Sequence, residues 1–176
     1  MDNSPYTTPD AQLSADPYRT YEPKIFALNG RIGRLRYLAY LFGTTVVTLL
    51  VLSPLITLLV TALGEDTGGL VAGVLVGLIQ LISAVLAIIF GKRRLNDLNR
   101  RGWWMVLIIV PVVNIVLSIY LMFFAGTDGE NDFGPQPAAN TLGVKILGLA
   151  FPVIFIVGIL AAIVIPAYND VFLQAQ

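Results

Sequence analysis

The residues with chemical capacity gather in two short basic segments. The first is FALNGRIGRLRYLAY, which carries Arg31, Arg34 and Arg36. The second is GKRRLNDLNRRGWW, which carries Arg93, Arg94, Arg100 and Arg101 around a single acid, Asp97. Guanidinium groups at this density suit phosphate and carboxylate, which they grip through paired N–H donors. On a helix, Arg93 and Asp97 form an i,i+4 pair, and Asp97 and Arg101 form another. Asp97 is also expected to pair with an arginine of the first segment. Trp103 and Trp104 close the second segment, and Tyr37 and Tyr40 lie at the end of the first. Such rings, apolar with one polar atom, favour the headgroup level of a bilayer. Arg31, Arg34, Arg36, Arg93, Arg94, Asp97, Arg100, Arg101, Trp103 and Trp104 are therefore expected to form a collar. Its partners would be anionic phospholipids, at about 1 kcal/mol per cation near the surface, or another membrane protein. The same residues also serve as an ordinary topology signal with a satisfied salt-bridge network.

No catalytic constellation accompanies the collar. The chain has no His and no Cys, which excludes a Ser-His-Asp triad, a thiolate nucleophile, a zinc knuckle and an iron–sulfur cluster. The segment GTDGENDFGPQP spaces Asp128, Glu130 and Asp132 like the start of a calcium loop. Phe133 stands where that loop needs its sixth-position Gly, and Ala139 where it needs its twelfth-position Glu. A solvated turn is expected there, with no metal, no cofactor and no nucleic-acid partner.

The elements that position these groups are lipid-spanning. Of 176 residues, 56% are hydrophobic and 12% charged, about half the charge of a soluble domain. Four stretches hold no Asp, Glu, Lys or Arg: 37–64, 67–91, 102–127 and 146–169. Each exceeds the roughly 20 residues that a helix needs to cross hydrocarbon. They are apolar on all sides rather than alternating, which excludes a transmembrane barrel. The expected fold is an all-α membrane protein, a bundle of four transmembrane helices behind a disordered N-terminal tail. Its parts are the tail at 1–25, a membrane domain at 26–137, and a linker with a fourth helix at 138–176.

Charge sets the expected orientation. Ten of the 11 Lys and Arg residues lie ahead of the first apolar stretch, at 19–36, and in the link between helices two and three. Cytoplasmic loops retain such cations. A multi-pass protein with a cytoplasmic N-terminus follows, with Glu65–Asp66 and the acidic loop at 128–132 outside and both termini inside. Three spans instead of four would move the C-terminus outside.

Small residues mark the seams. Gly69, Gly73 and Gly77 repeat at four-residue spacing, which lets helices approach closely. Packing against helix one or three of the same chain is the first expectation, and a homodimer seam the second. Pro54, Pro111 and Pro152 should kink their helices.

The ordered set GRIGRLRY (30–37), RRLNDLNRRGWW (93–104), a proline-broken third span and GTDGENDFGPQP (126–137) resembles the YhaH-like family of bacterial inner-membrane proteins. That family is catalogued as a domain of unknown function. The resemblance implies a bacterial cytoplasmic membrane, and a histidine in relatives where Asn96 stands here. The C-terminal GILAAIVIPAY is similar to the N-terminal helix of type IV pilins, without the pilin Glu or leader site. It is expected to act as a packing helix with Gly158, Ala161 and Ala162 on one face. The function these features predict is a non-enzymatic membrane interaction protein. A small oligomeric transporter or channel, lined by Gln80, Asn114, Thr44, Thr45 and Thr48, is the alternative.

Overall fold

The computed structural model describes residues 19–174, with side chains through residue 168. The expected tail at 1–18 lies outside the described residues. Three helices are long and apolar enough to cross a membrane, namely Arg34–Leu63, Glu65–Asp97 and Leu142–Tyr168. They belong to α1 (Arg34–Leu63), α2 (Glu65–Asp97) and α4 (Leu142–Gln174). Between α2 and α4 stand a 3₁₀ segment, Gly102–Ile109, and a short helix α3, Pro111–Phe123. Two-residue strands β1 (Thr20–Tyr21) and β2 (Gln136–Pro137) pair in parallel.

Helices α1 and α2 form a hairpin joined by one residue, Gly64, whose φ of +82° only glycine adopts freely. Just beyond the turn, Gly68 lies against the backbone of Leu59 and Val60, where a Cβ would come within 2.5 Å of the Leu59 carbonyl oxygen. Helix α4 meets the other flank of α1. A Cβ on Gly148 would lie 2.5 Å from the Leu35 carbonyl oxygen, and the rings of Phe42 and Phe151 stand 6.2 Å apart, edge to face.

Burial is inverted relative to a water-soluble fold. Large side chains fully shielded from solvent include Arg31, Arg36, Arg93 and Arg94, while leucines, isoleucines and valines along the helices lie exposed. In water such a distribution is unfavourable. In hydrocarbon it is the expected one, because each helix satisfies its own backbone and its apolar surface needs no cover. The chain is an integral membrane protein. The compact core sits at one end, where Ile32, Tyr37, Phe90, Leu95, Met105 and Leu121 pack together.

The third apolar stretch departs from the expected span. Its 3₁₀ part has 8 residues, about 16 Å long at roughly 2.0 Å per residue. Helix α3 has 13, about 20 Å long at 1.5 Å per residue. Each is short of the ~30 Å hydrocarbon core. Both outer ends lie at the same end of the bundle. Gly102 abuts the Lys92 side chain, and the carbonyls of Leu121 and Phe124 both accept from the Arg94 guanidinium. The stretch runs in and returns. Pro111 does not kink a continuous helix but occupies the first position of α3, where its missing N–H has no partner to lose.

Three further expectations change. The tail does not extend to residue 25 as free chain: Thr20–Tyr21 is a strand, and Lys24 and Ile25 both accept from Arg93. The acidic loop at 128–132 joins the basic end rather than the opposite one. Helix α4 therefore starts at the basic end beside the start of α1, instead of returning to it. Gly69, Gly73, Gly77 and Gly158 have open space where a Cβ would stand. The intrachain seam uses Gly68 and Ala72, one residue earlier in each repeat.

Candidate functional site

The basic end is built around the last turn of α2. Asp97 ends that helix and is 4% exposed. Its Oδ1 lies 3.3 Å from both Nε and Nη2 of Arg31, and its Oδ2 accepts from Arg94 Nη1 at 2.6 Å. The i,i+4 pairs of Asp97 with Arg93 and Arg101 do not form. Arg94, three residues earlier, takes one side of the carboxylate, and Arg31 of the first basic segment takes the other.

One carboxylate cannot neutralise two buried guanidiniums, and main-chain carbonyls supply the remainder. Arg31 donates through Nη1 to Gly129 (2.7 Å) and Gly134 (2.9 Å), and through Nη2 to Thr127 (2.6 Å). Arg94 donates through Nε to Leu121 (2.9 Å) and through Nη2 to Phe124. A buried charge is tolerable only when paired and hydrogen-bonded in this way. The Asp97 carbonyl in turn accepts from the Thr127 amide at 2.8 Å. Asn131 Nδ2 donates to the Asn96 carbonyl at 2.9 Å, and Asn96 Nδ2 donates to the Gly30 carbonyl at 3.1 Å. Tyr21 closes the shell, its hydroxyl donating to the Arg31 carbonyl and accepting from the Arg31 amide.

Thr127, Gly129, Gly134 and Tyr21 were not singled out by sequence reasoning. The signal was GTDGENDFGP itself. Its glycines, with φ of +68° at Gly129 and +110° at Gly134, turn carbonyls inward on Arg31. Asp128, Glu130 and Asp132 face solvent, and no group of residues suited to a metal occurs among the described residues.

The collar residues divide into two sets. Arg31, Arg36, Arg93 and Arg94 are sealed inside the protein. Arg93 binds the Lys24 and Ile25 carbonyls. Arg36 spans Glu22 and the Ala139 carbonyl, both at 3.2 Å. Arg34, Arg100, Arg101, Trp103 and Trp104 are exposed. Arg34 gives one bond, to the Phe123 carbonyl at 3.1 Å.

The turn between the two sets is specified locally. Asn99 has φ of +53°. Around it the Arg100 amide donates to the Leu95 carbonyl (2.8 Å) and the Asn99 amide to the Asn96 carbonyl (3.1 Å). These two bonds are the Schellman ending of a helix, with Asn in the left-handed position. The ending stops α2 and turns Arg100 and Arg101 outward, away from the locked junction.

A family model described as "Protein of unknown function (DUF805)" matches residues 25–135. That range contains every residue of the Arg31–Asp97–Arg94 junction. Two curated relatives, both called inner membrane protein YhaH, come from Escherichia coli strain K12 and Escherichia coli O157:H7. Each is 44% identical over 45 residues, which is 26% of this chain and 37% of the relative. The chain thus spans little more than a third of the length of the curated relatives it matches. No solved structure matches it.

Proposed function

The chain belongs to the DUF805 family of proteins of unknown function, and on that premise we propose that it is a non-enzymatic protein of the bacterial inner membrane that presents a rigid cationic face to anionic phospholipids. In this reading α1, α2 and α4 cross the bilayer, and the 3₁₀ segment with α3 is a re-entrant hairpin entering from the cytoplasmic side. The N-terminus is cytoplasmic and the C-terminus periplasmic. All 11 Lys and Arg then belong to the cytoplasmic end, which agrees with the retention of cations there better than ten would. Protein backbone at membrane depth is tolerated when protein covers it, and Met105 packs into the space left by Gly91 on α2.

The observation that carries the lipid reading is the division of the arginines. Four are buried and bonded to internal carbonyls or acids, with Nη1 of Arg36 and Nε and Nη2 of Arg93 left without a partner among the described residues. Arg34, Arg100 and Arg101 are left exposed, and the last two lie directly beside an exposed tryptophan pair. Nothing comparable supports a transporter, because the Thr44 and Thr45 hydroxyls donate to carbonyls of their own helix.

The test is thermal unfolding of the detergent-solubilised full chain with added phosphatidylglycerol or phosphatidylcholine. Phosphatidylglycerol should raise the midpoint more, and the difference should shrink from low salt to 1 M salt as charges are screened. Replacing Arg34, Arg100 and Arg101 together with Gln should abolish the difference. Equal stabilisation by both lipids, or a preference that survives the triple replacement, overturns the reading.

A further inference from the structure

Two cavities meet at Arg100 and Trp104. One, of about 600 Å³, is the more polar, lined by both residues together with Asn99, Arg101, Asp132 and Phe133. The other, of about 330 Å³, is apolar and lies between the 3₁₀ segment and α3, where Leu107, Val113, Val116 and Tyr120 join the same two residues. Each volume falls in the range of small-molecule sites, about 300–1,000 Å³. No hydrogen bond or ion pair from the guanidinium of Arg100 or Arg101 falls among the described residues.

We propose that these joined cavities are a site for one phospholipid molecule, whose phosphodiester is held by Arg100 and Arg101 and whose acyl chain lies in the slot between the two arms of the hairpin. The proposal rests on the lipid-facing reading above and makes it specific. Three observations carry it. The lining changes from mixed and charged to apolar across two shared residues, as polarity does along a phospholipid from headgroup to chain. The slot belongs to the hairpin, whose outer side exposes Val106, Ile109, Val112 and Ile115, so an acyl chain enters sideways from the bilayer. The charges in the more polar cavity are two arginines and Asp132, a net of one positive charge. That balance suits a phosphodiester monoanion and disfavours a phosphomonoester dianion. The indole of Trp104 spans the boundary, in the position such rings favour at a membrane surface.

The chain has two tryptophans, so Trp103→Phe leaves Trp104 as the sole reporter. Phosphatidylglycerol with brominated chains, diluted into phosphatidylcholine nanodiscs holding the full chain, should quench Trp104 at a lower mole fraction than brominated phosphatidylcholine does. Phosphatidic acid should rank between the two. Soluble glycerol 3-phosphate should not compete. Arg101→Gln should weaken the phosphatidylglycerol effect about fivefold. Val113→Phe, which fills the slot, should abolish saturable quenching while leaving the salt-sensitive stabilisation by phosphatidylglycerol intact.

Equal quenching by the two brominated lipids, with that stabilisation intact, overturns the bound-lipid site and leaves the cationic face standing. Loss of both overturns both. Competition by glycerol 3-phosphate assigns the more polar cavity to a soluble anion and overturns the lipid assignment. Saturable quenching that survives Val113→Phe removes the acyl chain from the slot.

Discussion

Arg31 and Asp97, 66 positions apart in the chain, face each other at 3.3 Å with neither side chain more than 5% exposed. The pair joins the segment before α1 to the end of α2. Because Arg31 also holds three carbonyls of the 126–137 loop, it ties down the return of the hairpin as well. One guanidinium thus adds a polar link between three parts of the chain that also meet in the apolar core of Ile32, Leu95 and Leu121.

Removing the acid should be costly. Asp97→Ala leaves Arg31 and Arg94 buried with no counter-charge, and breaking a buried pair costs about 3–5 kcal/mol. Thermal unfolding in detergent should show the loss, and double replacement with Arg94→Leu should recover part of it. A fall of less than about 1 kcal/mol would mean that the carbonyls alone balance the charge.

Arg31→Lys should loosen the loop without unfolding the helices. An ammonium has three donors and no fork, so it cannot serve the carboxylate and the carbonyls of Thr127, Gly129 and Gly134 together. Hydrogen exchange should quicken across 126–137 and stay slow in α1 and α2. Unchanged protection of the loop would contradict the role given to the guanidinium.

Glycines one position apart should behave differently. A Cβ at Gly68 meets backbone at 2.5 Å, and one at Gly69 meets nothing within 4 Å. Gly68→Ala should cost about 1–3 kcal/mol, as overpacking does, and Gly69→Ala close to nothing. Similar losses at both sites in detergent would place the seam of the hairpin elsewhere.

The turn before the tryptophans should prefer Gly. Asn99→Gly keeps the left-handed conformation and should be neutral or mildly stabilising, whereas Asn99→Val should cost about 1–2 kcal/mol. Equal midpoints for the two variants would contradict the helix ending described here.

Much of this was legible in the sequence, and the misreadings have physical causes. The apolar stretches identified the membrane class, and the lone acid among arginines identified the junction. The partner of Asp97 was half legible. Helical spacing pointed to Arg93 and Arg101, but the carboxylate takes Arg94, three residues earlier on the same helix, together with Arg31 of the first basic segment, where a partner was expected. The third stretch was misread because length and composition say only that a segment can cross, whereas the carbonyls of Leu121 and Phe124 on Arg94 say where it ends. Placing 128–132 on the far side relied on acids, which contribute little to topology. Those acids turned out to decorate a loop whose carbonyls face inward. The division of the collar was not legible at all, since burial of an arginine depends on which carbonyls reach it.

The side of the membrane on which the 126–137 loop lies decides whether the hairpin is re-entrant. The chain has no cysteine, so single replacements at Glu130 and Glu65 need no background removal. With a membrane-impermeant maleimide applied to intact cells, Cys at position 65 should label from the periplasm. Cys at position 130 should label only after the cytoplasmic face is opened. Labelling of position 130 in intact cells would make the third stretch a full crossing and would contradict the fold-back described here.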